Sequence, residues 1–283
     1  MTRPALRTLV VVGTGLIGTS IALAARAAGV RVLLADRDVD ALDVAVGRGA
    51  GRPVGDRPPR ADLAVLAVPP DAVPPVLRDA RDRGLAHVYT DVASTKATVV
   101  RAAGAAVDFV PGHPMAGSER SGPGAADAAL FRGAAWVLCP RPGVGAGAVD
   151  VVRELVALCG AREVEMDAVE HDRAVALVSH APHVVAGAMA AALRGAGPDV
   201  LRLAGRGVRD TTRIAAGDVA LWTDILRHNA EHVARVLAGV AADLGRTATA
   251  LAAVARGDDE PLPEVAELLA RGCAGRAELT DRG

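Results

Sequence analysis

Short runs of β-branched and aliphatic residues recur along the first half of the chain, separated by stretches with helical spacing. Residues 8–12 predict a strand, followed by Gly-rich punctuation and a helix over 16–28. Residues 31–35 predict the next strand, and 63–68 another that ends at Pro69-Pro70. Residues 87–90 and 107–110 continue the series, and 136–138 follow a Gly-rich loop. Near-continuous apolar strands alternating with helices predict a parallel sheet covered on both faces. Past Met166 the strands stop. Residues 167–193 predict one long helix broken only by Pro182, whose missing N–H should free the carbonyl of Val178 and kink the chain. Further helices are predicted over 200–205, 220–244 and 262–271. The expected fold class is therefore α/β: a doubly wound sheet over residues 1–165, then an all-helical part over 166–283. Residues 52–60 and 142–147 are Pro/Gly-rich but too short for linkers, so the boundary near 165 is a direct hand-over.

Composition narrows the partners. The 283 residues are 51% hydrophobic, which excludes disorder as the main state. Basic and acidic residues number 32 and 33, a net charge of -1. No global field would hold nucleic acid or an anionic membrane, and an anionic small molecule needs a local positive cluster. Cys139, Cys159 and Cys273 are far apart and form neither a disulfide framework nor a paired metal motif, which suits a reducing cytoplasm. The N-terminal residues enter a strand with no leader pattern, and Arg, Asp or Gly are expected to interrupt every apolar run before it could cross a bilayer. Lys96 is the only lysine among arginines, a bias read as compositional drift.

The first chemical motif is Gly13-Thr14-Gly15-Leu16-Ile17-Gly18. GxGxxG is weak alone, but here it follows a predicted strand and opens a predicted helix. The glycines permit a tight turn and close approach of a pyrophosphate, and the helix start supplies unpaired N–H groups. Asp36 ends the second strand, 18 residues after Gly18, where a carboxylate would accept hydrogen bonds from an adenosine ribose. That favours NAD, because a carboxylate repels a 2′-phosphate. Arg37 beside it leaves NADP open. Val68 and Pro69 should line the same crevice.

Two further segments, Asp91-Val92-Ala93-Ser94-Thr95-Lys96 and Gly112-His113-Pro114-Met115-Ala116-Gly117-Ser118-Glu119, should also sit at the carboxyl edge of the sheet. An imidazole there can take a proton near neutrality, and a serine hydroxyl can orient it; a structural histidine in a tight loop fits the segment equally well. The helical half adds Ser179-His180-Ala181-Pro182-His183, then Arg209-Asp210-Thr211-Thr212-Arg213-Ile214-Ala215, then Trp222.

Taken together, the GHPMAGSE, DVAS-K and RDTTRIA segments resemble the prephenate/arogenate dehydrogenase family of tyrosine biosynthesis, from about Val10 to Asn229. The resemblance implies an N-terminal Rossmann domain, a helical dimerisation domain, and oxidative decarboxylation of a cyclohexadienol with hydride passing to NAD. It implies that His113 accepts the proton of the substrate 4-hydroxyl and that Ser94 orients His113 and touches the cofactor. It further implies that Arg213 binds a substrate carboxylate, that His183 helps hold the substrate side chain, and that Glu119 stands at the site's mouth. Asp210 and Trp222 fall beside the pocket. A fixed guanidinium suits a dianionic dicarboxylate. The chain departs from the family pattern at Ala181 and Val208, both smaller than usual there.

Prephenate is the first expectation for the substrate, with arogenate or an amino-substituted prephenate as alternatives. A β-hydroxyacid dehydrogenase would need a catalytic lysine on the helical half, where none stands. A non-catalytic NAD-binding sensor would need no HPMAGSE-like loop. No metal site is expected from His171, His180 and His183: the last two lie one turn apart, but no nearby carboxylate or cysteine completes an obvious ligand set.

Overall fold

A computed structural model of the chain describes residues 6–55, 58–104, 108–117 and 120–280. Val107, Ser118 and Glu119, which fall in segments read above, lie outside the described residues. The chain runs β1 (Thr8–Val12), α1 (Leu16–Ala27), β2 (Arg31–Ala35), α2 (Val39–Gly47), β3 (Arg52–Pro53), β4 (Ala61–Leu66), α3 (Val73–Asp82), β5 (Ala86–Asp91), α4 (Ala97–Ala103) and β6 (Phe109–Val110). It continues through β7 (Gly112–Pro114), β8 (Ala135–Leu138), α5 (Ala146–Leu158) and β9 (Arg162–Glu165). The rest is helical: α6 (Ala168–Val175), α7 (Ala181–Ala191), α8 (Pro198–Arg202), α9 (Arg206–Thr212), α10 (Val219–His228), α11 (Ala230–Val254) and α12 (Leu262–Thr280).

Six strands form one parallel sheet in the order β3-β2-β1-β4-β5-β6. That is the doubly wound order, whose switch point lies between β1 and β4. Leu9, Val10 and Val11 are fully buried because helices cover both faces. Ile21 and Leu155, from α1 and α5, pack on one face, and Val73, Leu77 and Val99, from α3 and α4, on the other. Residues 136–138, expected in this sheet, instead lie in a separate three-stranded sheet, β7-β8-β9. There β8 pairs antiparallel with β7, and His113 lies opposite Val137. The chain crosses only Pro111 between β6 and β7, too short a connection to place β7 beside β6 as a parallel neighbour.

The predicted helix over 167–193 is three pieces. Between α6 and α7, residues Ala176–His180 form a π-helical segment, and Ala181 N–H donates to the Ala176 carbonyl. Pro182 then begins α7 without the N–H that an unbroken α-helix would need. The extra residue buries His180 to 1% exposure while Leu177 and Val178 stay exposed. The predicted helix over 220–244 is likewise divided, at Asn229, which closes α10.

Packing divides the chain into two compact units, residues 1–230 and 231–283. In the second, Arg271 on α12 reaches Asp243 on α11 at 3.0 Å. The expectation about apolar runs needs correction. Residues Ala168–Ala191 and Ala230–Val254 are each long and apolar enough, by length and composition, to cross a bilayer. In the first of these His171, Asp172 and His180 are buried and hydrogen-bonded, as in the core helix of a folded domain.

Candidate active site

The glycine loop joins β1 to α1 at the switch point. Gly13 has φ +98°, and a Cβ there would lie 2.2 Å from the Ala67 carbonyl oxygen. A Cβ on Gly18 would meet the Gly13 carbonyl oxygen at 2.0 Å. One glycine therefore permits the turn and the other the close packing of helix on strand. Gly15 caps α1, has open space where its Cβ would stand, and offers no side chain to the helix N–H groups. Leu16, Ile17 and Gly18 begin that helix, with no acidic residue in the first turn. An anion fits there.

Asp36 is half-buried and accepts from the Thr14 backbone N–H and, at 2.9 Å, from the Thr14 hydroxyl. Burial pushes its pKa up, but hydrogen bonds from Thr14, Asp38 and Arg37 outweigh that and hold the carboxylate below its usual range. So Asp36 stays charged and ties down the glycine loop. Val68 packs on Gly13, Pro69 is exposed after β4, and Arg37 is exposed. These features fit a dinucleotide whose adenosine 2′-hydroxyl is free.

A second cluster lies at the same edge, after β5 and β6. Lys96, the lone lysine, is fully buried. Its Nζ pairs with the Asp91 carboxylate and donates to the Gly112 carbonyl at 2.7 Å. Asp91 also accepts from the backbone N–H groups of Ala93 and Gly112. Acid and lysine together tie β7, and hence His113, to the end of β5. The sequence sets Lys96 apart only as the lone lysine and as part of the DVAS-K segment; this pairing comes from the fold.

His113 is 8% exposed. Its Nδ1 lies 2.8 Å from His171 Nε2, and His171 Nδ1 lies 2.8 Å from Asp172 Oδ1. Asp172 accepts the Lys96 N–H at 2.7 Å and the Ala97 N–H at 2.8 Å. The partner expected for His113 was Ser94. Ser94 is half-buried, and among the described residues no hydrogen bond joins it to His113. His171 had been assigned no role, because a lone histidine in a helix carries no signal until the fold brings β7 against α6. Burial, then the nearby His171, Lys96 and His180, hold the His113 pKa well below the ordinary imidazole value. The ring is therefore a neutral base at neutral pH.

The helical residues gather on α7, α9 and α10. His183 stacks on Trp222 with ring centroids 3.5 Å apart. Gly217 closes over this pair: a Cβ there would meet Trp222 Nε1 at 2.5 Å and His183 Cε1 at 2.9 Å. His183 Nδ1 is buried without a hydrogen-bond partner among the described residues. Arg213 follows α9, is exposed, and begins a 3₁₀ turn that packs against α7. Asp210 is exposed on α9. Ala181 is buried at the start of α7. The His228 side chain is 6% exposed and pairs with Asp71. Asp71, Asp224 and His228 converge as a cation site would, among the described residues, but Arg227 already pairs with both carboxylates.

A glycine-rich turn at the switch point, a charged carboxylate just after β2 and a neutral buried imidazole at one sheet edge define an NAD-dependent oxidoreductase. Residues 21–165 match the family model for the prephenate dehydrogenase nucleotide-binding domain, and 167–270 the model for its dimerization domain. The chain belongs to the prephenate dehydrogenase family.

A protein of Streptomyces niveus named "Probable prephenate dehydrogenase NovF" is 40% identical over 98% of this chain and 78% of its own length. The prephenate dehydrogenase of Bacillus subtilis is 35% identical over 80% of this chain and 65% of its own length. Among solved structures, prephenate dehydrogenase from A. aeolicus in complex with hydroxyphenyl propionate and NAD+ has a TM-score of 0.81 at 25% identity, covering 97% of this chain and 99% of that one. Synechocystis arogenate dehydrogenase has a TM-score of 0.75 at 26% identity, covering 96% and 99%.

Proposed function

We propose that the chain catalyses oxidative decarboxylation of prephenate to 4-hydroxyphenylpyruvate, with NAD as hydride acceptor. The observation that carries this is His113: buried, neutral, committed through Nδ1 to His171, and set at the sheet edge that holds the glycine loop. NAD, when bound, accepts the hydride from ring C4. His113 Nε2 takes the 4-hydroxyl proton as the carbonyl forms, and loss of the ring carboxylate as CO2 completes aromatisation. Arg213 pairs with a substrate carboxylate, and His183, fixed by stacking on Trp222, meets the side chain. Ser94 touches the cofactor, and Glu119 is assigned to the mouth of the site.

Residues 1–165 serve as the nucleotide-binding part and 166–283 as the helical part, a division supported by family models that meet between 165 and 167. The enzyme works as a cytoplasmic homodimer, supported by the match to a dimerization domain and by exposed apolar side chains such as Leu203 and Val219. A second reading, arogenate as substrate, draws on the likeness to Synechocystis arogenate dehydrogenase. The deciding experiment follows NADH or NADPH appearance with prephenate and with arogenate, each with NAD and NADP. Turnover of prephenate with NAD supports the first reading, turnover of arogenate alone supports the second, and absence of turnover with either refutes both.

A further inference from the structure

The cluster behind His113 carries more than orientation. Its charged and titratable members are Asp91 and Lys96 from the end of β5, His171 and Asp172 from α6, and His180 from the π-helical segment. Asn229, which closes α10, completes the packing by donating to the Asp172 carbonyl at 2.7 Å and approaching His180 Nδ1 at 3.1 Å. Asp91 and Lys96 neutralise each other. Among the described residues Asp172 has no cationic partner of that kind. Its carboxylate is met by two backbone N–H groups and by the His171 ring. A buried carboxylate without a counter-charge is costly, and the cost falls when a proton arrives on the ring beside it.

We propose that His171 and Asp172 are a positioning pair that fixes the Nδ1–H tautomer of His113 and takes up the charge of the proton His113 removes from the substrate. This rests on the dehydrogenase reading above. In the resting state His113 Nδ1–H donates to His171 Nε2, and His171 Nδ1–H donates to Asp172. As the substrate O–H bond breaks, its electron pair stays on oxygen and becomes the carbonyl bond, while hydride reduces NAD. The proton bonds to His113 Nε2. The proton on His113 Nδ1 shifts to His171 Nε2, so one imidazolium results, and it lies against the Asp172 carboxylate. No water need enter the site at that step.

The test uses His171→Gln, His171→Phe and Asp172→Asn in the full-length protein. Gln can still accept from His113 Nδ1–H but cannot carry the proton. Losing charge uptake should lower kcat by about 10²-fold, the lower end for a general-base contribution, with KM and NAD affinity kept. His171→Phe should fall further because the tautomer is no longer fixed. The discriminating readout is the acid limb in Asp172→Asn. His171 by itself lowers the His113 pKa, and the Asp172 carboxylate offsets that repulsion once the pair is protonated, so without it the imidazolium is less stable and the limb of kcat moves to lower pH. The His113 ring, followed by NMR in cofactor-free protein, should titrate lower in parallel. A merely structural Asp172 would leave both where they are; that result, or a shift to higher pH, overturns the proposal. His171→Gln removes the repulsion together with the charge uptake, so it is read by kcat alone; a normal kcat there overturns the proposal, and it decides the matter if Asp172→Asn does not fold. Wild type and His113→Asn run alongside: a wild type inert toward cyclohexadienyl substrates sinks the functional reading, whereas normal wild type with an unshifted Asp172→Asn sinks only the relay.

Discussion

The lone lysine sets the position of the base. Lys96 Nζ bridges Asp91 and the Gly112 carbonyl in the protein interior, one residue from His113. Removing one partner of a buried pair leaves the other charged and unpaired, so Lys96→Met should cost about 3–5 kcal/mol of stability. A thermal melt checks this, and an unchanged Tm would mean that Asp91 is compensated elsewhere. Asp36 has two tasks, so Asp36→Ala should loosen the Thr14 turn as well as the ribose contact. NAD affinity should fall more than NADP affinity, measured by cofactor titration; equal losses would confine Asp36 to the loop. At this scale the sequence was legible where a motif has a fixed spacing: the glycines, Asp36 and His113. The roles of Lys96, His171 and Asp172 were not, because they arise from burial and from contacts between separate segments: 16 positions for Lys96 with Gly112, 58 for His171 with His113 and 76 for Asp172 with Lys96.

At the scale of elements, period and punctuation located β1, β2, β4 and β5 closely, since buried parallel strands are continuous apolar runs. The short β3 holds two residues and leaves almost no pattern, whereas β6 falls inside the strand expected over 107–110. The turn of the chain into β7 was invisible for a similar reason: three residues, one of them proline, look like loop. Yet β7 is the element that presents His113. A Cβ on Gly112 would stand 3.0 Å from the Asp91 carbonyl oxygen and 3.1 Å from Trp136 Nε1. Gly112→Ala should therefore displace β7 and reduce kcat more than it weakens NAD binding. Steady-state kinetics beside NAD titration test this, and intact turnover would show that β7 yields without moving His113. The π-helical segment was likewise unforeseen in form, though Pro182 marked its place; such bulges recur at functional sites.

For the whole molecule, three depressed histidines set the response to acid. His113 lies well below the ordinary value, His180 falls to about 4 and His183 is lowered too, all chiefly through burial. The unfolded chain takes up protons near the unperturbed value of about 6.5, while the folded chain does not. Stability is thus full above that value and falls as pH drops from there toward 4. Melting temperature should decline from about pH 7 to about pH 5, and a flat profile would contradict the burial argument.

Arg213→Ala should raise KM for the dianion by about 2–5 kcal/mol equivalent, and Arg213→Lys should recover part of it, since the planar fork is lost. An unchanged KM would put Arg213 outside the pocket. The central claim is that His113 is the base of an NAD-dependent dehydrogenase, and His113→Asn tests it most directly. The variant keeps size and one hydrogen-bonding edge but cannot take a proton. With prephenate and NAD, NADH formation should fall by about 10²–10⁴-fold, NAD affinity should hold, and the acid limb of the wild-type rate should vanish. Normal turnover in His113→Asn, or survival of that limb, would contradict the account.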